Sequence, residues 1–198
     1  MIAPTADTYQ AMRDQISRLR RLAMDVRVAA AAQEHALELH LVRTDAARLA
    51  VAAQATAAPQ YAAKGVHLGL TVSDEHMPVR CDEERVQQVL ANLLDNALRH
   101  TPAGASVHLS YRSAGTDALL IVEDTGEGLA PGQLQRIFER FYRVDSSRSA
   151  FDGSGSGLGL TIAQAIVADH GGTITAYSDG LGKGSRFTIA LPLDISGA

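Results

Sequence analysis

The sequence predicts a two-layer α+β sandwich, a mixed β-sheet with helices packed on one face, preceded by a separate coiled-coil-like helix. Three observations carry this reading. Segments of period 2 and period 3.6 are interspersed without strict β–α alternation, which argues against a doubly wound parallel sheet. Val107 to Arg112 and Ala118 to Glu123 flank Ser113-Ala114-Gly115-Thr116 and form a hairpin, so the sheet contains antiparallel pairing. Near the start, Tyr9, Met12, Ile16, Leu19, Ala23, Val26 and Ala30 are spaced alternately three and four apart. That is the narrow seam of a helix that packs lengthwise on another helix.

In chain order, residues 5–32 read as that seam helix, with Pro4 just before its first turn. The organisation is therefore a helix over 1–34 and a domain over 35–198. Leu37, Leu39 and Leu41 alternate with Glu38, His40 and Val42, the pattern of a half-buried strand. Asp45 caps an alanine-rich helix that runs to about Ala63, with Pro59 inside it as a position that could bend or end it early. Gly65 closes it, and Val66 to Val72 alternates as a strand. Asp82 caps a helix that runs to His100 and stops at Thr101-Pro102. After the hairpin come a short helix at Pro131 and a polar, Gly/Ser-rich loop from about Asp145 to Ser156. A helix from Leu158 to His170 and strands near 173–178 and 185–191 follow.

Composition narrows the function classes. Eighteen Lys+Arg against 22 Asp+Glu give a net charge of −4, which argues against nucleic acid as a ligand, since a phosphate backbone demands a basic surface. No apolar run reaches transmembrane length and no secretory signal pattern opens the chain. The single cysteine, Cys81, fits a reducing compartment. The expected location is cytoplasmic, with the membrane reached only through a partner or a preceding region.

Three segments carry chemistry. On the helix from Asp82, Val86, Val89, Leu90, Leu93, Leu94 and Ala97 make the apolar face. Arg85, Gln88, Asn92, Asn96 and Arg99 recur at steps of three and four on another. Two asparagines inside a helix are locally unfavourable, and such a violation points to function. A carboxamide oxygen can take one position on Mg²⁺ while phosphate and water take the rest, and Arg99 can neutralise phosphate charge. Next, Asp124-Thr125-Gly126-Glu127-Gly128 ends a strand with a carboxylate that can accept from the amine of adenine and would repel the carbonyl of guanine. Gly126 and Gly128 let backbone and base approach closely. Last, Gly155-Ser156-Gly157-Leu158-Gly159-Leu160 opens a helix with unencumbered N–H groups, a cradle for anions. It is neither a Walker loop nor a dinucleotide fingerprint. Together the three describe a pocket for Mg-ATP. Between the last two, Phe138 and Phe141 are expected to anchor the loop's hinge in the core, and Arg143 could close on the terminal phosphate.

These segments resemble the N, G1, F and G2 boxes of bacterial sensor histidine kinases, which build the ATP-binding domain shared with gyrase, Hsp90 and MutL, the Bergerat fold. The resemblance covers about 37–192. It implies Asn96 as the Mg²⁺ ligand, Asn92 and Arg99 near the phosphates, and His100 lining the nucleotide. It implies Asp124 on adenine, Gly126 and Gly128 beneath the base, and Gly155, Gly157, Leu158 and Gly159 at the phosphates, with 143–156 as the ATP lid. Residues 5–32 resemble the second helix of the dimerisation and phosphoacceptor hairpin, which allows a homodimer through that helix.

Two departures sharpen the expectation. None of the histidines (35, 40, 67, 76, 100, 108 and 170) sits in the His-Glu-Leu-Arg-Thr-Pro-like acceptor box of that family. His170 reads as an ordinary helix-end residue. And where the ATPase branches of the superfamily carry a water-activating glutamate, this chain has Asn92, which takes no proton at neutral pH. Hydrolysis should be slow, whereas phosphoryl transfer depends mostly on positioning and charge neutralisation. The expected function is phosphorylation of a histidine on another polypeptide, with a response regulator downstream. The chain would be a split kinase or a piece of a longer one. Two alternatives stay open: an anti-sigma-type serine kinase, and a non-catalytic ATP-binding interaction module.

Overall fold

The structure, a computed structural model, describes residues 38–73, 75–142 and 157–195, together with Tyr9 and Met12. The seam helix, Arg143 and Gly155 therefore lie outside the described residues, apart from Tyr9 and Met12, which are helical and more than half exposed.

A five-stranded mixed sheet runs in the order β2 (His67–Thr71), β4 (Ser106–Ala114), β5 (Asp117–Asp124), β7 (Ser185–Pro192), β6 (Thr173–Tyr177). Only the β2–β4 pairing is parallel; β4–β5, β5–β7 and β6–β7 are antiparallel. Helices α1 (Ala46–Lys64), α2 (Glu83–His100) and α4 (Gly159–Asp169) form the second layer, and the short α3 (Pro131–Leu134) precedes the undescribed segment. Alternation along β5 puts Ala118, Leu120, Val122 and Asp124 on the buried face. That face packs on Val89, Leu90, Leu93 and Leu94 of α2 and on Ile162, Ala163, Ile166 and Val167 of α4 in one aliphatic core. The two-layer α+β expectation and the mixed sheet are borne out.

One local expectation changes, one strand was missed, and one expected helix end holds. The strand expected at 37–42 is β1, Val42–Asp45, because pairing with β3 (Pro78–Cys81) begins only at Val42 opposite Cys81. β3 itself escaped the reading: four residues with a proline and an arginine carry too little alternation to register. The end of α1 holds: it runs through Pro59 to Lys64, one residue past the expected Ala63. Past the proline, the buried Tyr61 donates its hydroxyl to the Leu94 carbonyl (2.8 Å), and Lys64 Nζ donates to the Leu98 and Arg99 carbonyls (2.5 and 3.1 Å). These contacts hold the last turn to α2 and outweigh one missing helical hydrogen bond. Asp45 and Asp82 cap α1 and α2 as expected, accepting from Ala47 N and Arg85 N.

Candidate functional site

The end of α2 meets the loop that follows β5. Asp124, the last residue of that strand, is only 4% exposed. Its Oδ1 accepts from Gly126 N (2.8 Å) and its Oδ2 from Ser185 Oγ (2.5 Å), the residue opposite it on β7. A carboxylate offers about four lone-pair sites, so two remain for an amine of a bound base.

The glycines of this loop are enforced by close backbone packing. A Cβ on Gly126 would lie 2.2 Å from the His100 carbonyl oxygen, and one on Gly128 (φ +67°) 2.1 Å from that of Gly180. The room that these glycines leave is thus taken by protein backbone. Glu127 N donates to the same His100 carbonyl (3.0 Å), and the Glu127 carboxylate lies 3.0 Å from His100 Nδ1. The loop is thereby laid across the C-terminal end of α2.

A second wall comes from the β6–β7 turn, which the sequence reading did not name. Gly182 N donates to the Glu127 carbonyl (2.6 Å) and Gly184 N to that of Gly126 (3.2 Å). Ser178 Oγ accepts from Leu129 N (3.0 Å) and donates to the Gly184 carbonyl (2.6 Å). Gly184 adopts φ +70°, and a Cβ there would lie 1.9 Å from the Asp124 carbonyl oxygen. Ser185, Ser178 and Gly184 are the residues that sequence reasoning missed. The available signal was Gly182-Lys183-Gly184-Ser185, two glycines on the doorstep of a strand.

Along α2, Asn92 and Asn96 are half-buried and Arg99 is exposed. Asn92 Nδ2 donates to the Gly159 carbonyl at the start of α4 (3.0 Å). A carboxylate in its place could not make that bond. The N-cap of α4, Leu158, offers no side-chain cap to its first turn. Gly157 (φ +69°) accepts from Phe141 N (3.1 Å), which pins the two flanks of the undescribed segment together. Phe138 packs against the core as expected, whereas Phe141 does not: it is 68% exposed, at φ +60°. Its backbone, not its ring, makes the hinge. Leu158 is buried.

The structure thus brings His100, Asp124, Gly126 and Gly128 together beside the C-terminal end of α2, and Asn92 and Gly159 together further back along the same helix. Asn92 and His100 lie eight residues apart on α2, about 12 Å along its axis.

The comparisons with known proteins agree with this geometry. The family described as "Histidine kinase-, DNA gyrase B-, and HSP90-like ATPase" matches residues 81–195. The alginate biosynthesis sensor protein KinB of Pseudomonas aeruginosa is 36% identical over 188 residues, 95% of this chain and 31% of KinB. The sensor protein SrrB of Staphylococcus aureus is 40% identical over 136 residues, 67% of this chain and 23% of SrrB. The chain thus spans less than a third of the curated relatives it matches. Full-length ShkA, solved in complex with AMPPNP, superposes with a TM-score of 0.83 at 31% identity, covering 97% of this chain and 40% of ShkA. The chain belongs to the histidine kinase-, DNA gyrase B- and HSP90-like ATPase family.

Proposed function

We propose that this domain binds Mg-ATP with adenine at Asp124 and phosphates between α2 and the start of α4, and donates the γ-phosphoryl group to a histidine on a separate polypeptide. The observation that carries this reading is the Asn92–Gly159 hydrogen bond. The position that would hold a water-activating acid holds an amide instead, committed as a donor to α4. A kinase needs the phosphates placed and their charge neutralised more than it needs a base.

The residues present fit the group. Asp124 has acceptor capacity left on the side where an exocyclic amine would donate. Among the described residues no three His, Cys, Asp or Glu side chains could hold a metal alone. A Mg²⁺ would take the Asn96 oxygen together with phosphate oxygens and water, the usual arrangement for this cation. Bound Mg-ATP supplies the phosphoryl group. Arg99, with Arg143 from the undescribed segment, would neutralise its charge, and His100 would line the nucleotide. Gly155 and Gly157 would border the phosphates.

No histidine of this sequence has an acceptor context, which supports an acceptor outside residues 1–198. The seam of residues 5–32 would dock the acceptor-bearing helix or a second copy of the chain, and a response regulator would take the phosphoryl group onward. Among the described residues no helix is long and apolar enough to cross a membrane. The sensor kinases among the relatives favour this reading over a serine kinase. The test is incubation with γ-labelled ATP, with and without an acceptor-helix protein. Acid-labile label on the acceptor alone is expected; efficient labelling of this chain by itself would overturn the assignment.

A further inference from the structure

His170 reads from the sequence as an ordinary helix-end residue, yet both its ring nitrogens are engaged. Nδ1 lies 2.7 Å from the Ile166 carbonyl oxygen, and Asp82 N donates to Nε2 at 3.0 Å. A carbonyl can only accept and a backbone N–H can only donate, so the ring is neutral with its proton on Nδ1. Asp82 is also the N-cap of α2: its Oδ1 accepts from Arg85 N and its Oδ2 from His40 N in the segment that enters the domain. Three pieces of chain meet at this joint, the entry at His40, the start of α2 and the end of α4.

The joint is one of two pins between the same helices. α2 and α4 run antiparallel. The start of α2 is tied to the end of α4 by Asp82–His170, and the middle of α2 to the start of α4 by Asn92–Gly159. Asp82 and Asn92 are ten residues apart, and Gly159 and His170 eleven, so the pins are separated by about 15 Å on one helix and about 16.5 Å on the other. Between them the α4 side is Ile162, Ala163, Ile166 and Val167. Such an aliphatic surface is tolerant of small slides; directional hydrogen bonds at both ends are not. We propose that His170 is a positioning residue for the nucleotide site: it holds α4 in axial register with α2, so that the Gly159 end of α4 is presented to Asn92 and to the phosphates.

This rests on the assignment of Asn92 and Gly159 to the phosphate end, and the experiment separates the two claims. Mg-ATP and adenosine are titrated calorimetrically into the full chain and into His170→Gln, His170→Asn and His170→Ala. A glutamine oxygen reaches the place of Nε2 and can accept from Asp82 N, whereas asparagine ends near Nδ1. His170→Asn and His170→Ala should weaken Mg-ATP about fivefold to tenfold, the equivalent of one lost net hydrogen bond. Adenosine should stay within about twofold, since a nucleoside makes no phosphate contacts. His170→Gln should bind like the parent, with the Asp82 amide still protected from hydrogen exchange. Unchanged Mg-ATP affinity in His170→Asn and His170→Ala overturns the proposal, as does parallel loss of adenosine, which would mark a general structural role. Failure of His170→Gln to rescue also overturns it. Asn92→Ala is the control: if it leaves Mg-ATP affinity intact, the phosphate-end assignment fails instead.

Discussion

At the end of the site proposed for the base, Asp124 is almost completely buried and both its oxygens already hold protein donors; at the end proposed for the phosphates, Asn92 and Asn96 are half-buried and Arg99 is exposed on the helix face. The Asp124 end is assembled from three stretches of backbone, His100, 124–129 and 178–185, locked by carbonyl contacts that no side chain other than hydrogen would fit. At the other end a side-chain hydrogen bond from Asn92 ties α2 to α4. A preorganised acceptor gives specificity at little reorganisation cost. Under the proposed function the Asn92 end would carry the catalytic step, where a helix N-terminus and neutral amides would accommodate a charge that moves. Specificity would then sit in packed backbone, and chemistry on a helix surface.

Substitutions at each end break this contrast in different ways. Asp124→Asn should have the largest effect. It replaces one acceptor by an amine that faces either Gly126 N or Ser185 Oγ and removes the charge that favours adenine. Mg-ATP affinity should fall by about 100-fold in calorimetry, near the roughly 2–3 kcal/mol carried by a charge-assisted hydrogen bond with its partner left unpaired. Gly184→Ala should cost stability before it costs binding. The positive φ and the clash with the Asp124 carbonyl predict a loss of about 2–4 kcal/mol in denaturant melts. At the other end, Asn92→Asp removes the donor to Gly159 and places a like charge near the phosphates. Mg-ATP affinity should drop about tenfold, with adenosine binding and the melting curve nearly unchanged.

Smaller effects follow from the α2 start. Burial raises the Asp82 carboxyl, but the N–H groups of His40 and Arg85 and the charge of Arg85 outweigh it and hold the group below its ordinary range. A depressed carboxyl stabilises the fold fully above the unfolded value and loses that contribution as pH falls through the folded one. Acidification below about pH 4 should therefore cost the parent more than Asp82→Asn in thermal melts. Next to it, burial and then the charges of Glu83 and Asp82 push the Cys81 thiol up to about 12. Native protein should resist thiol alkylation at neutral pH, and unfolded protein should react at once.

Much of this was legible in residue order. The apolar stripe of α2, its Asp82 cap and the alternation that buries Asp124 are local patterns, and the structure keeps them. What escaped were contacts between distant segments. Ser185 faces Asp124 across 61 positions, and His170 faces Asp82 across 88. No periodicity marks such a pair. The glycines were legible as unusual, but their reason was not: the space below Gly126 and Gly128 goes to the His100 and Gly180 carbonyls, which only the folded chain places there. The helix passes through Pro59 to its expected end because Tyr61 and Lys64 are tied to α2, contacts that no local rule displays.

The two-ended site is tested most directly by one set of titrations, with adenosine and Mg-ATP injected into the parent, Asp124→Asn and Asn96→Ala. Asp124→Asn should lose both ligands. Asn96→Ala should keep adenosine and lose Mg-ATP by about tenfold or more, as expected for one metal ligand removed. Parent-like Mg-ATP binding by Asn96→Ala, or parent-like adenosine binding by Asp124→Asn, would contradict the division of the site into a buried base end and an open phosphate end.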